Sequence, residues 1–222
     1  MQLIRGFYNL PNHSVLTNGC VLSIGNFDGV HLGHQQILAR LINKSIELGL
    51  PSVVMLFEPQ PREFFAKKVD DLTACNVPAR LMRLRDKLKY LEKSGIDFVL
   101  CVRFSERFAK LTAEEFIQDL LVKQLKVRYL SVGDDFRFGA KRAGDYHTLQ
   151  AAGKTYHFTV EESHTHSFEQ DRISSSLIRE LLQKDKLALV EKLLGKPYSI
   201  AGRVAHGNKL GRTIGFPTAN IM

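Results

Sequence analysis

Two histidines, His31 and His34, lie in the stretch GNFDGVHLGH at residues 25–34, directly after a short apolar run. Gly25 and Gly29 let the backbone turn tightly there, and the periodic stretch at residues 36–42 reads as a helix. At a helix start, a spacing of three puts both imidazoles on one side of the first turn, where unpaired N–H groups and the helix dipole favour a phosphate. Such a pair suits a reaction in which negative charge builds on a phosphate as a phosphate nucleophile attacks and pyrophosphate leaves, with no covalent nucleophile. The structural alternative is that one histidine caps the helix and the other packs; the position after a strand and a glycine turn favours the chemical reading.

Two further stretches have phosphate-handling or ligand-handling composition. In ISSSLIRELL, residues 173–182, consecutive hydroxyls precede a helix and Arg179 lies three residues beyond Ser176. Ser174 or Ser175 can cap that helix while the other hydroxyls and the Arg fork face one anion, although a plain N-cap with a solvated Arg explains the stretch alone. In VGDDFRFGAKRAGD, residues 132–145, paired carboxylates, two aromatics and three basic residues lie between glycines, as in a loop that meets a flat, charged ligand. Paired Asp residues are also ordinary turn formers. No Asp, Glu and His cluster has the spacing of a dedicated metal cage, so any Mg²⁺ is expected to arrive bound to the phosphates of a nucleotide rather than in a permanent site.

The elements that must position these residues alternate. Apolar runs at 20–24, 51–57, 98–102 and 128–132 read as strands, with helical patterns at 77–94 and 112–124 between them. That order predicts an α/β fold with a parallel sheet and helices on both faces, whose ligands bind beyond the carboxyl ends of the strands. The loops at 25–34, 57–65 and 133–144 follow such runs. After Leu194 the texture changes: Gly195, Gly202, Gly207, Gly211 and Gly215 break up short β-like pieces and no helical pattern returns. A boundary is expected near residue 184, with the helix at 187–194 as connector or as the opening of a second domain.

With 222 residues and 44% hydrophobic content, the chain can bury a sizeable core, which excludes a disordered tail. The formal charge of +8 favours anionic partners without choosing among them. Arg80, Arg83, Arg85, Lys87 and Lys89 alternate with leucines at helical spacing and read as the solvated face of an amphipathic helix, not a nucleic-acid footprint. Cys20, Cys75 and Cys101 are odd in number and widely separated, as expected of reduced structural thiols. No leader-like apolar segment or run of about twenty apolar residues occurs, so a cytoplasmic protein without membrane or nucleic-acid partners is expected.

The GNFDGVHLGHQ loop resembles the H-x-G-H signature of the nucleotidylyltransferase superfamily and, within it, the bacterial FAD synthetase branch. The resemblance implies a Rossmann-like sheet and in-line transfer of AMP from ATP to the phosphate of FMN, giving FAD and pyrophosphate. His31 and His34 would then contact the ATP phosphates and stabilise the transition state, with Gly25, Asn26, Phe27 and Gly33 lining the nucleotide. Ser175, Ser176 and Arg179 match the superfamily's Ser/Thr-rich helix start with a basic residue that holds the outgoing phosphates. The FEPQPREFF stretch and the 132–145 loop are similar to those forming the flavin side, which points to Pro59, Asp135 and Phe136; family members often carry His where this chain has Gln60.

The closing stretch, GRVAHGNKLGRTIGFPTAN, is similar to the opening of the riboflavin kinase domain that follows in bifunctional bacterial enzymes. Thr218 and Asn220 of its P-T-A-N motif would match residues near the Mg-ATP phosphates. The resemblance divides the chain into an adenylyltransferase domain at residues 1–183 and, at 184–222, a connector helix with the start of a β-barrel kinase domain. Riboflavin would be a substrate only of a full-length form, and residues beyond about 197 are expected to be poorly ordered or to stick to other surfaces. Pantetheine phosphate or nicotinamide mononucleotide as acceptor, a turnover-free flavin or nucleotide sensor, and a basic RNA-binding module stand as alternatives.

Overall fold

The structure is a computed structural model and describes residues 1–12, 14–66, 77–163, 167–168, 171–207 and 210–221. Cys75 lies outside the described residues. The chain opens with β1 (Gln2–Arg5) and two 3-10 turns, then β2 (Cys20–Ile24), α1 (Leu32–Leu48), β3 (Ser52–Glu58) and the short α2 (Pro61–Ala66). Next come α3 (Leu84–Lys93), β4 (Phe98–Arg103), α4 (Glu106–Ala109) and α5 (Ala113–Glu115), which runs into a π-helix at Phe116–Gln124. Then follow β5 (Val127–Gly133), α6 (Tyr146–Tyr156), β6 (Thr159–Ser163), and the two-residue strands β7 (Ser167–Phe168) and β8 (Asp171–Arg172). The chain continues through α7 (Ser175–Gln183), α8 (Leu187–Leu194), β9 (Val204–Ala205), α9 (Leu210–Thr213) and β10 (Asn220–Ile221).

Six strands form one sheet in the order β1-β4-β3-β2-β5-β6, every neighbouring pair parallel. Side chains alternate across a strand, so each face of the sheet collects its own core. Cys20, Leu22 and Ile24 of β2, with Val53 and Met55 of β3, pack under the π-helix and α6 through Phe116, Ile117, Leu121 and Leu149. Val21, Val54, Leu56 and Val99 face the other way, onto Leu38 and Leu41 of α1 and Leu91 of α3. The expected parallel sheet with helices on both faces is therefore what forms.

The sequence expectations differ from the structure in particulars. β1 and β6 lie outside the four expected strands, because β1 is a four-residue edge strand and β6 reads TVEES, so neither carries an apolar run. The helix expected at 77–94 starts only at Leu84, since residues 77–83 run irregularly across the strand ends. The helix expected at 112–124 is mostly a π-helix, whose wider turn closes with the Leu125 N–H on the Leu120 carbonyl, 3.0 Å. After Leu194 one helical turn, α9, does return.

α8 packs against α7 and residues ahead of it, where Val190, Leu193 and Leu194 share a third cluster with Leu81, Ile173 and Ile178. Beyond it, β9 and β10 pair as an antiparallel ribbon with Val204, Phe216 and Ile221 exposed. Cys20 and Cys101 are unbridged; burial pushes the Cys20 thiol up to about 12 and raises that of Cys101, so both are inert structural thiols. Among the described residues no helix is long and apolar enough to cross a membrane.

Candidate active site

β2 lies between β3 and β5, so the chain departs in opposite directions from its two sides, and the crevice beyond the strand ends opens at such a reversal. The loops after β2, β3 and β5 border that crevice, which brings together the three stretches singled out from the sequence.

His31 is the N-cap of α1, and its Nδ1 accepts from the His34 backbone N–H, 3.3 Å. With Nδ1 occupied as an acceptor, the proton of the neutral ring sits on Nε2, which is left as a donor. The two imidazoles stack at 3.6 Å between centroids, 19° from parallel, and Phe27 tilts against His34 at 5.1 Å. His34 Nδ1 is buried without a hydrogen-bond partner among the described residues. An unpaired polar atom beside a helix N-terminus is free to meet a phosphate oxygen. Burial, then the positive charge of Arg172, pushes His31 down to about 4; burial, then His31 and Lys87, holds His34 well below the usual histidine range. Both rings are therefore neutral at physiological pH and able to donate to phosphate oxygens without titrating.

The turn that presents them is strained. Phe27 and the β-branched Val30 hold φ of 46° and 43°, in the left-handed region that such residues avoid. Gly29, at φ 83°, holds a left-handed conformation that side chains rarely adopt, and a Cβ there would also crowd Leu81 at 3.1 Å. Gln35 braces the turn, its amide donating to the carbonyls of Val30 and Leu194, each at 3.0 Å.

Asp28, 3% exposed, joins this turn to two other segments. Its carboxylate accepts from the backbone N–H groups of Leu81 and Met82, at 3.0 and 3.2 Å, and from the Arg179 guanidinium. Its carbonyl accepts from the Ser175 hydroxyl, 2.9 Å, and Arg179 Nε donates to the Ala79 carbonyl, 2.6 Å. Ser174 caps α7 by accepting from the Leu177 N–H, 3.1 Å. Thus Ser175 and Arg179 are drawn to the histidine turn through Asp28, while Ser176 is exposed at the start of α7.

On the other flanks, Pro59 follows β3 through a cis peptide, and Asp135 and Phe136 follow β5. The Asp135 carboxylate lies beside Gly133, and the Phe136 ring stacks on Phe138 at 5.7 Å. Near Pro59, Phe64, Phe65 and Phe104 make an aromatic group, with Phe65 51% exposed. Asp134 pairs with Arg172 in two hydrogen bonds of 2.8 and 2.6 Å. Thr218 and Asn220 lie apart, exposed on or beside β10.

The basic stretch around α3 is not the uniformly solvated face that its spacing predicts. Lys87 is buried, its ammonium donating to the Asn26 carbonyl at 2.6 Å, and Arg80 is held by Glu58 and Glu63. Amphipathic spacing cannot reveal that a backbone carbonyl and two carboxylates from other segments engage those cations.

The FAD synthetase family matches residues 13–177, and the riboflavin kinase family matches residues 194–222. The chain belongs to the FAD synthetase family. This family member is 56% identical over 221 residues to a bifunctional riboflavin kinase/FMN adenylyltransferase of Haemophilus influenzae and 55% identical to that of Escherichia coli K12. Each match covers 100% of this chain and 68% of the relative. Its fold also matches, with a TM-score of 0.76 and 27% identity, a crystal structure described as a macrolide-efflux protein from Streptococcus pneumoniae, over 100% of this chain and 69% of that one.

Within this FAD synthetase family member, sequence spacing points to His31, His34 and the α7 hydroxyls but passes over Asp28 and Lys87. Two cavities of about 370 and 480 Å³ flank α3, lined by none of the expected site residues. Among the described residues no group of three or more His, Cys, Asp or Glu could hold a metal ion.

Proposed function

We propose that the chain transfers the AMP moiety of ATP to the phosphate of FMN, giving FAD and pyrophosphate. The observation that carries this reading is the stacked pair of neutral imidazoles at the start of α1, with His34 Nδ1 unpartnered at the strand-end crevice. Family membership supplies the flavin acceptor.

In the proposed reaction an oxygen of the FMN phosphate attacks the α-phosphorus of ATP, and the bond to the bridging oxygen of the β-phosphate breaks. His31 and His34 donate to oxygens on which charge accumulates, and fixed donors in a dry site do this without reorganising. Ser175, Ser176 and Arg179, at the α7 start, take the leaving pyrophosphate, aided by the helix N-terminus. Gly25, Asn26, Phe27 and Gly33 border the nucleotide, while Pro59, Asp135 and Phe136 serve the flavin beside the exposed Phe65. ATP-dependent transfer of this kind uses a divalent metal, which we take to be Mg²⁺. Asp28 is already engaged by two amides and Arg179, so the site's buried carboxylate is no ligand for it and the metal would ride on the phosphates. Riboflavin phosphorylation, in this reading, belongs to a longer form carrying more than the matched residues 194–222. The setting is cytoplasmic, without nucleic-acid or membrane partners.

The reading is tested by incubating the chain with ATP, Mg²⁺ and either FMN or riboflavin and separating the flavins chromatographically. FAD from FMN is expected; a folded sample that binds FMN and yields no FAD would contradict it.

A further inference from the structure

α3 carries Leu84, Leu88 and Leu91 on the side that packs against the sheet. Lys87 falls there too and is 5% exposed. Burying an ammonium costs several kcal/mol unless it is paired, and an apolar side chain would pack this position more cheaply. Desolvation accordingly lowers the Lys87 pKa below the usual lysine range.

The geometry shows what that cation holds. Lys87 Nζ donates to the Asn26 carbonyl at 2.6 Å, and the next residue is Phe27, at φ 46°, whose ring rests on His34. The charged groups around Lys87 are Asp28, Glu58, Glu63 and Arg80. Arg80 is bound to Glu58 and Glu63, while Asp28 is bound to the Leu81 and Met82 amides and to Arg179. These carboxylates offset the Lys87 charge from a distance, while the Asn26 carbonyl accepts its hydrogen bond.

We propose that Lys87 is a positioning residue for the adenylyl transfer, a buried cation that pins the Asn26 carbonyl and so fixes Phe27 and His34 against the incoming phosphate. The inference rests on the function proposed above. A one-ångström misplacement of catalytic groups can cost about 10²-fold in rate, so a pinned carbonyl two positions before the Asp28 junction is worth a buried charge.

The test compares wild type with Lys87→Met, which keeps the length and removes the charge. The change leaves the Asn26 carbonyl without its donor and the nearby carboxylates without that cation. The thermal midpoint is therefore expected to fall, while kcat per folded molecule for FAD formation falls by on the order of tenfold or more and KM for FMN stays within about twofold. A second readout needs no turnover: in histidine-resolved NMR, Lys87→Met shifts the His34 ring resonances as Phe27 moves, and leaves His147 and His157 in place. Unchanged kcat with unchanged His34 resonances overturns the proposal. So does a fall in thermal midpoint with kcat per folded molecule intact, or failure of both Lys87→Met and Lys87→Gln to fold, since each marks a purely structural lysine. If wild type makes no FAD, the functional reading fails by itself, and the His34 resonances decide the role of Lys87.

Discussion

The loop after β2 and the loop after β5 border the same crevice and are built in opposite ways. The first is buried and over-determined: Asp28, Lys87 and Gln35 tie it to residues 79–82, α3, α7 and α8, and hold Phe27 and Val30 at positive φ. The second is anchored at Phe138, which packs on Phe116, and at Ala140, whose N–H meets the Leu111 carbonyl, but Asp135 and Arg137 beside that anchor are exposed and Asp134 is held by the partly exposed Arg172. Charge development on a phosphate demands donors that do not move, whereas an acceptor as large as a flavin has to enter and leave. Burial is deeper where the proposed chemistry is than where the proposed acceptor binds.

Breaking the junction should cost most. Asp28→Ala leaves the Leu81 and Met82 amides unpaired and takes from Arg179 its carboxylate, leaving it only the Ala79 carbonyl, and removing one partner of such a pair typically costs about 3–5 kcal/mol. Urea unfolding should show a loss of that order, and a loss under about 1 kcal/mol would mean that the β2 loop is not held as described. Next is the pH response of the same loop. His31 binds its proton near pH 4 when folded and near the ordinary histidine value of 6.5 when unfolded, so its contribution is complete above 6.5 and is lost as pH falls towards 4. The shift corresponds to about 3 kcal/mol. His31→Asn, which keeps a capping acceptor, should flatten the dependence of thermal midpoint on pH across that window; an unaltered slope would place the acid sensitivity elsewhere.

His34→Ala is expected to leave FMN binding intact and lower FAD turnover about a hundredfold or more, as loss of one transition-state donor commonly does. Steady-state kinetics check this, and near-normal turnover would remove His34 from the mechanism. The smallest effect belongs to the open loop: Asp135→Ala should raise KM for FMN by roughly 3–10-fold, the scale of one hydrogen bond, with kcat nearly constant. A collapse of kcat instead would show that the β5 loop takes part in the chemical step just like the β2 loop, and the contrast between them would fail.

Much of this contrast was legible in the sequence. The four central strands announced themselves as apolar runs, since a parallel strand buried on both faces has few polar positions. β1 and β6 escaped because edge strands need no such run, and TVEES is mostly polar. His31 and His34 were legible because helical spacing alone places both rings on one side of α1. Asp28 and Lys87 were not: an Asp in a turn and a Lys between leucines look solvated, and only the fold brings residues 79–87 and 179 over them. Arg179 was legible as a cation at a helix start, but its engagement with the Ala79 carbonyl and Asp28 depends on contacts 100 and 151 residues away in sequence.

The most direct test of the central claim follows the phosphorus. The chain is given FMN with ATP labelled at the α-phosphorus, and in a parallel sample at the γ-phosphorus, and the label in flavin and pyrophosphate is measured within a single turnover. Adenylyl transfer at the β2 loop predicts α-label in FAD and γ-label in pyrophosphate. No α-label in flavin from a folded, FMN-binding chain, or γ-label appearing in flavin, would contradict it.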